Sequence, residues 1–203
     1  MRVLIIGCGY VGIALGEVLD RLGHKVHGIR RNKDSRPELD NAGIQPYFAD
    51  ITQREQLDSL PQSFDWIINT TSSSRGGAEI HREVFVNGTR NLIDWMITCP
   101  PQKFIFTSST GVYGQVDGSL VNEISPVEPT SDTGRNLVEA EKMVCEANGI
   151  VLRVSGIYGP QRGFLYRQYL KGEAVLNEKE RWLNMLHRED VIGAILKVLE
   201  LAP

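Results

Sequence analysis

Three glycines at positions 7, 9 and 12, in the run Gly7-Cys8-Gly9-Tyr10-Val11-Gly12, have the spacing that lets a backbone approach a phosphate. An apolar run, Val3 to Ile6, feeds directly into them, and Ala14, Leu15, Val18, Leu19 and Leu22 follow at helical spacing. Strand, glycine turn and helix in that order make a dinucleotide fingerprint. In that reading Gly7 permits the tight turn and Gly9 leaves room for a pyrophosphate. Gly12 lets the helix pack close to the strand, while the free N–H groups at Tyr10 and Val11, aided by the helix dipole, hold the anion. The plainer alternative is a purely structural turn. Cys8, inside the turn, reads as a small filler side chain rather than a redox centre.

A second group of chemical residues stands at the end of the next strand. Lys25 to Ile29 reads as strand and runs into Arg30 and Arg31, with Lys33 close behind. In a fingerprint of this kind the residue ending the second strand faces the adenosine ribose, where an acid selects NAD. Arg30 stands there, and Arg30 and Arg31 each offer a planar fork of donors suited to a 2′-phosphate. The expected cofactor is therefore NADP, with NAD the weaker fit. The alternative is that both arginines are solvated loop charges. Asn69, Thr70 and Thr71, ending the fourth strand, are expected at the ribose or pyrophosphate, or else serve only the turn.

Further strands are predicted at Gln45 to Ala49, Asp65 to Asn69, Lys103 to Thr107 and Ile150 to Val154. A short helix is expected over Leu39 to Ala42, and Thr52-x-x-Glu55 reads as a capping box opening another before Pro61. Longer helices are predicted over Glu79 to Thr98, Gly134 to Ala147 and Asp190 to Leu201. Strands alternating with helices imply an α/β fold, a doubly wound parallel sheet of order 3-2-1-4-5-6. The chain reads as one domain over residues 1–203, with 156–190 as a partial substrate-binding region.

Composition narrows the classes. The chain has 203 residues and a net charge of -3, with no basic stripe to bind nucleic acid. Its three cysteines and four histidines show no disulfide or metal spacing, so no metal is expected and a reduced cytoplasm is the simplest location. No leader and no apolar run of about 20 residues is present, so neither secretion nor a membrane span is expected.

Several segments in order resemble the extended and atypical short-chain dehydrogenase/reductases, of the nucleotide-sugar epimerase/dehydratase kind. These are GCGYVG, Asp50-Ile51, Asn87-Gly88-Thr89, FTSSTGVYG (Phe106 to Gly114), LRVSGIYGP (Leu152 to Pro160) and His187-Arg188-Glu189-Asp190. The resemblance implies a Rossmann fold binding NAD(P), with Asp50 and Ile51 near the adenine. It implies hydride chemistry at a sugar nucleotide or other small hydroxyl substrate. It also implies dimerisation through the helices Glu79–Thr98 and Gly134–Ala147, with Ile80, Val84, Val138 and Val144 as candidate contacts.

The departures matter equally. Ile6 holds the first glycine position of the family's usual GxxGxxG. The family's catalytic tetrad of Asn, Ser or Thr, Tyr and Lys aligns here with Phe85, Ser109, Thr133 and Leu137. No tyrosine in the chain is followed four residues later by lysine. That spacing puts both side chains on one helix face, where the lysine lowers the tyrosine pKa for proton exchange. Ser109 remains the best candidate to hydrogen-bond a substrate oxygen, with a strand-end cap as the alternative. Tyr113 is a candidate substitute acid, although its counterpart in the resembling proteins is usually structural. A Ser108–His187–Asp190 hydrolase triad lacks its GxSxG elbow. The family usually continues for several dozen residues beyond the position of Pro203, so a partial substrate pocket is expected. The leading reading is an NADP-dependent oxidoreductase or epimerase-like enzyme without the usual relay. The alternative is a non-catalytic NADP(H)-binding sensor or scaffold.

Overall fold

In β1 (Arg2–Ile6) successive side chains enter opposite cores. Leu4 and Ile6 join one cluster with Trp95 and Phe106, whereas Val3 and Ile5 join another with Leu15, Leu19 and Ile195. All four strand residues are at most 1% exposed. A strand buried on both faces must be a continuous apolar run, as this one is. The computed structural model describes residues 1–73, 76–175 and 182–201, without the side chains of 164 and 165.

The chain continues through α1 (Tyr10–Arg21), β2 (Lys25–Arg30), α2 (Arg36–Asn41), β3 (Gln45–Phe48), α3 (Arg54–Asp58) and β4 (Trp66–Asn69). Then come α4 (Gly77–Arg82), α5 (Gly88–Met96), β5 (Lys103–Ser109), α6 (Asp132–Glu146) and β6 (Ile150–Val154). All pairs are parallel and the order is β3-β2-β1-β4-β5-β6, as the sequence pattern predicts. Helices α3 to α6 cover one face. On the other lie α1, α2 and the last helix. The C-terminal region adds β7 (Gly156–Tyr158), α7 (Phe164–Leu170), β8 (Met185–His187) and α8 (Arg188–Leu201). β7 and β8 form a separate parallel pair. Among the described residues, no helix is long and apolar enough to cross a membrane.

Three local expectations are corrected, and one short strand pair was not foreseen. The helix predicted over Glu79 to Thr98 is interrupted by a π turn, Glu83–Asn87, a feature often found at functional sites. No capping box opens α3, because the Asp50 carboxylate captures Thr52: Oδ1 accepts from its N–H at 3.0 Å and its hydroxyl at 2.9 Å. α6 starts two residues earlier than Gly134, its N-cap being Ser131, whose Oγ accepts from the Gly134 N–H at 3.1 Å. The strands β7 and β8 are three residues each, too short to carry a readable alternation.

One buried ion pair ties α6 to β6. Arg153 donates to Glu141 from Nε at 3.1 Å and from Nη2 at 2.7 Å, and Glu141 is 5% exposed. Its Nη1 donates to the Tyr113 hydroxyl at 2.9 Å. These bonds hold the Arg153 pKa above its ordinary value, with the Glu141 bond the largest cause.

Candidate active site

The glycine turn joins β1 to α1 with little room to spare. Gly7 has φ +79°, and a Cβ there would lie 2.6 Å from the Thr71 Cα. A side chain would meet both conformational strain and backbone that cannot move aside. At Gly12 a Cβ would lie 2.9 Å from the Gly7 carbonyl oxygen and from Thr70 Oγ1, the close helix–strand approach expected. A Cβ at Gly9 would have only the Gly7 oxygen, at 3.8 Å, within contact range, so this side of the turn is open. No side chain caps α1 at Gly9, which leaves its first N–H groups available to an anion. Cys8 is buried against Gly28 and its thiol donates weakly to the Ile5 carbonyl at 3.6 Å. Burial pushes that thiol up to about 12, so it is inert as a nucleophile.

From this turn a cavity of about 320 Å³ runs toward the end of β2, lined by Arg30, Arg31, Asp50 and Ile51. Arg30 pairs with Glu38 of α2, and Arg31 Nη1 lies 3.7 Å from Asp50 Oδ2. Ile51 is buried, with its carbonyl held at 2.9 Å by Asn91 Nδ2.

A second cavity of about 460 Å³ shares Gly7, Gly9, Thr71 and Ser72 with the first. The two therefore form one crevice across the C-terminal ends of the strands, where ligands bind in open α/β sheets. Its far wall carries Ser109, Phe85, Thr133 and Leu137 together. These are the four positions that the resemblance aligns with the catalytic tetrad. A larger hollow of about 690 Å³, lined by Ile93, Ile97 and Met143, lies at the opposite, N-terminal edge of β5 and is remote from this chemistry.

Tyr10, Val11, Thr70 and Thr71 line the crevice. Thr70 also ties the turn down, donating to the Gly7 carbonyl at 3.0 Å. Asn69 is 1% exposed and does not line it; its Oδ1 accepts from the Thr71 N–H at 3.0 Å and so shapes the turn. Ser109 Oγ accepts from the Gly111 N–H at 3.1 Å, the strand-end cap, while the residue still lines the wall. Tyr113 does not join the crevice. Its hydroxyl donates to the Asn122 carbonyl at 2.9 Å and accepts from Arg153, the structural role its counterparts usually have.

Seven buried side-chain nitrogen or oxygen atoms among the described residues lack a hydrogen-bond partner. Four of them, Tyr10 OH, Thr71 Oγ1, His81 Nδ1 and Ser108 Oγ, belong to residues of the crevice wall. Buried polar groups are normally satisfied, so orphans gathered in one cleft fit a polar ligand there. With the open cradle at Gly9, they make the crevice fit a dinucleotide.

Among the wall residues not anticipated as site residues, His81 and Arg162 carry the most chemistry. His81, on α4, is 9% exposed, and its ring centroid lies 4.3 Å from that of Phe85 one turn later. Its i, i+4 relation to Phe85 was readable in the sequence, but a lone histidine on a helix gives no signal of its own. Arg162, from the C-terminal region, lies over the Tyr10 ring at 5.1 Å, as does Arg188 at 4.9 Å. No local pattern links residues so far apart.

The comparisons with known proteins agree with this geometry. Protein YeeZ of Escherichia coli strain K12 is 30% identical over 207 residues, covering 98% of this chain and 73% of that protein. A solved structure from Methylobacillus flagellatus, assigned to the NAD-dependent epimerases/dehydratases, is 31% identical with a TM-score of 0.81, over 98% of this chain and 70% of that one. The dTDP-glucose 4,6-dehydratase DesIV of Streptomyces venezuelae, solved as a double mutant with NAD bound, shares the fold at a TM-score of 0.84 and 19% identity, over 98% of this chain and 72% of that one. The family profile itself runs along residues 3–202, and the chain belongs to the NAD dependent epimerase/dehydratase family.

Proposed function

We propose that this protein binds NADP(H) in preference to NAD(H) and acts on a sugar nucleotide or other small hydroxyl substrate without the family's Tyr-x-x-x-Lys relay. The observation that carries the reading is the single crevice in which the open glycine turn, two β2-end arginines and the four tetrad-equivalent positions share one wall system. The nicotinamide supplies a hydride acceptor or donor when the dinucleotide is bound. Gly9 and the N–H groups of Tyr10 and Val11 hold the pyrophosphate, with Thr70 and Thr71 beside it. Arg30 and Arg31 receive the 2′-phosphate, and Asp50 and Ile51 border the adenine. Ser109 hydrogen-bonds the substrate oxygen, and Tyr113 braces β6 through Arg153. The strand pair β7–β8 with α7 is the substrate-binding part of a single domain; residues 176–181 of that region lie outside the described residues.

A sugar-nucleotide substrate rests on the family and on the dTDP-glucose dehydratase that shares the fold. A homodimer through α5 and α6 rests on the groove between them and on Ile97, which is 74% exposed there. Val84 and Val144 are already buried within the chain, so they are not its contacts. A cytoplasmic location rests on cysteines that are all free. The second reading, a non-catalytic NADP(H) sensor, is favoured by Phe85 and Leu137, which offer no proton to the wall they line.

Calorimetry with both cofactors tests the binding reading. NADPH is expected to bind at least about tenfold more tightly than NADH, about 1.4 kcal/mol. Equal affinities, or an NADH preference that persists in Arg30→Ala, overturn it. Turnover across a panel of hydroxyl substrates, followed at the nicotinamide absorbance band, separates enzyme from sensor.

A further inference from the structure

The second cavity of the crevice has a one-sided charge. Among the described residues lining it there is no aspartate or glutamate, serines and threonines recur around it, and Arg162 is a permanent cation. The whole chain has the opposite balance, 25 acidic against 22 basic residues. A wall with a cation and no carboxylate is suited to an anion.

Topology sets a second guanidinium beside the first. β7 and β8 run parallel with Tyr158 opposite His187, so the chain leaves both strands at the same end. After β7 it turns at once. The Gly159 N–H donates to the Arg162 carbonyl at 2.9 Å, and the Arg162 N–H donates to the Gly159 carbonyl at 3.0 Å. The turn takes φ +148° at Gly159, where a Cβ would lie 2.8 Å from the Tyr10 hydroxyl oxygen, and φ +61° at Gln161. A residue other than glycine is uncommon in that region and persists only where its surroundings fix it. After β8 the next residue is Arg188. Both Cζ atoms then lie over the Tyr10 ring, 5.1 and 4.9 Å from its centroid. Each cation gains from the ring, but two on one ring repel each other. Among the described residues Arg162 has no ion-pair partner, and Arg188 has only its neighbour Glu189, which is 52% exposed.

We infer that Arg162 and Arg188, set together on Tyr10, form a clamp for a phosphate group of the substrate. One guanidinium fork saturates a carboxylate, whereas two forks match a phosphate or diphosphate, which offers oxygens to both. The anion also offsets the repulsion between the two cations. The phosphate is the substrate's because the arginines leave the ends of β7 and β8, while the cofactor pyrophosphate has the open turn at Gly9 and the N–H groups of α1. That assignment rests on the dinucleotide reading above. A neutral hydroxyl compound would leave the clamp empty.

The test is calorimetry with inorganic pyrophosphate as the probe, titrated into protein saturated with NADPH so that the cofactor's own phosphate sites are filled. Wild type is expected to bind it. Arg162→Gln and Arg188→Gln should each weaken that binding by about fivefold or more, with NADPH affinity and Tm unchanged. Arg162→Lys, which keeps the charge and loses the fork, should cost less than Arg162→Gln. No pyrophosphate binding in wild type, or equal binding in both glutamine variants, overturns the clamp. A loss of NADPH affinity in both variants instead gives the arginines to the cofactor and overturns the substrate assignment. If NADPH itself does not bind, the cofactor reading falls, and pyrophosphate titrated into the protein alone decides the clamp through the same two variants.

Discussion

At the β2 end of the crevice, Arg30, Arg31 and Asp50 have 31%, 56% and 29% of their side-chain surface exposed, and each is part of an ion pair. At the α6 end, Phe85 and Leu137 are 7% and 6% exposed and sit beside a nearly buried histidine. The first end is charged, wet and adjustable, because long side chains there can exchange one partner for another. The second is apolar and packed, and each group in it is fixed by its neighbours. Binding and chemistry in this fold therefore have separate physical requirements. A chain can lose the proton relay while keeping the cradle, since an apolar residue at a relay position packs without damage to the turn.

The change expected to be largest breaks the part both ends share. Gly7→Ala places a Cβ against the Thr71 backbone at a positive φ. We expect a loss of about 2 kcal/mol or more in a urea titration, with dinucleotide binding abolished. A variant of wild-type stability would show that the turn can relax and that the two ends are not held by it.

Acid should act on the packed end and on strand β2 together. His27 and His81 are both held below the ordinary histidine pKa, with burial the leading cause in each. Their neutral forms stabilise the fold fully above the unfolded value of about 6.5, and that contribution is lost as pH falls through the lower folded values. Below about pH 6.5 stability should fall by up to about 1.4 kcal/mol per pH unit for each proton the unfolded chain alone binds. Thermal melts from pH 8 to pH 5 check this, and a flat profile would contradict the burial argument.

Tyr113→Phe removes a hydroxyl that lies outside the crevice. The expected cost is about 1 kcal/mol of stability, from bonds to Asn122 and Arg153, with NADPH affinity unchanged. A loss of cofactor affinity at full stability would return Tyr113 to the site.

The smallest effect sharpens the charged end. Glu38 holds Arg30, so it competes with any phosphate there. Glu38→Gln should raise NADPH affinity by about two- to fivefold and leave NADH affinity alone, consistent with the modest worth of an exposed pair. Equal gains for both cofactors would mean that Arg30 does not read the 2′-phosphate.

The glycine turn and the alternation behind the sheet order were readable from the chain's own patterns, while the tetrad-equivalent positions came from the resemblance to a family. Val3 to Ile6 was an apolar run of strand length feeding a glycine turn. Gly7, Gly9 and Gly12 had the spacing of a cradle. The missing Tyr-x-x-x-Lys pair was a matter of counting. What tertiary structure decided was where side chains spend their hydrogen bonds. Asp50 and Asn69 spent theirs locally, on Thr52 and Thr71 two residues on, but Tyr113 reached Arg153, forty residues away in sequence. Arg162 and Arg188 reached Tyr10 across most of the chain. His81 came into the crevice only because α4 packs against α6 beneath the strand ends. Periodicity and spacing encode local geometry. A long-range partner is chosen by whichever unsatisfied donor or acceptor the fold brings within reach, and no stretch of sequence records that choice.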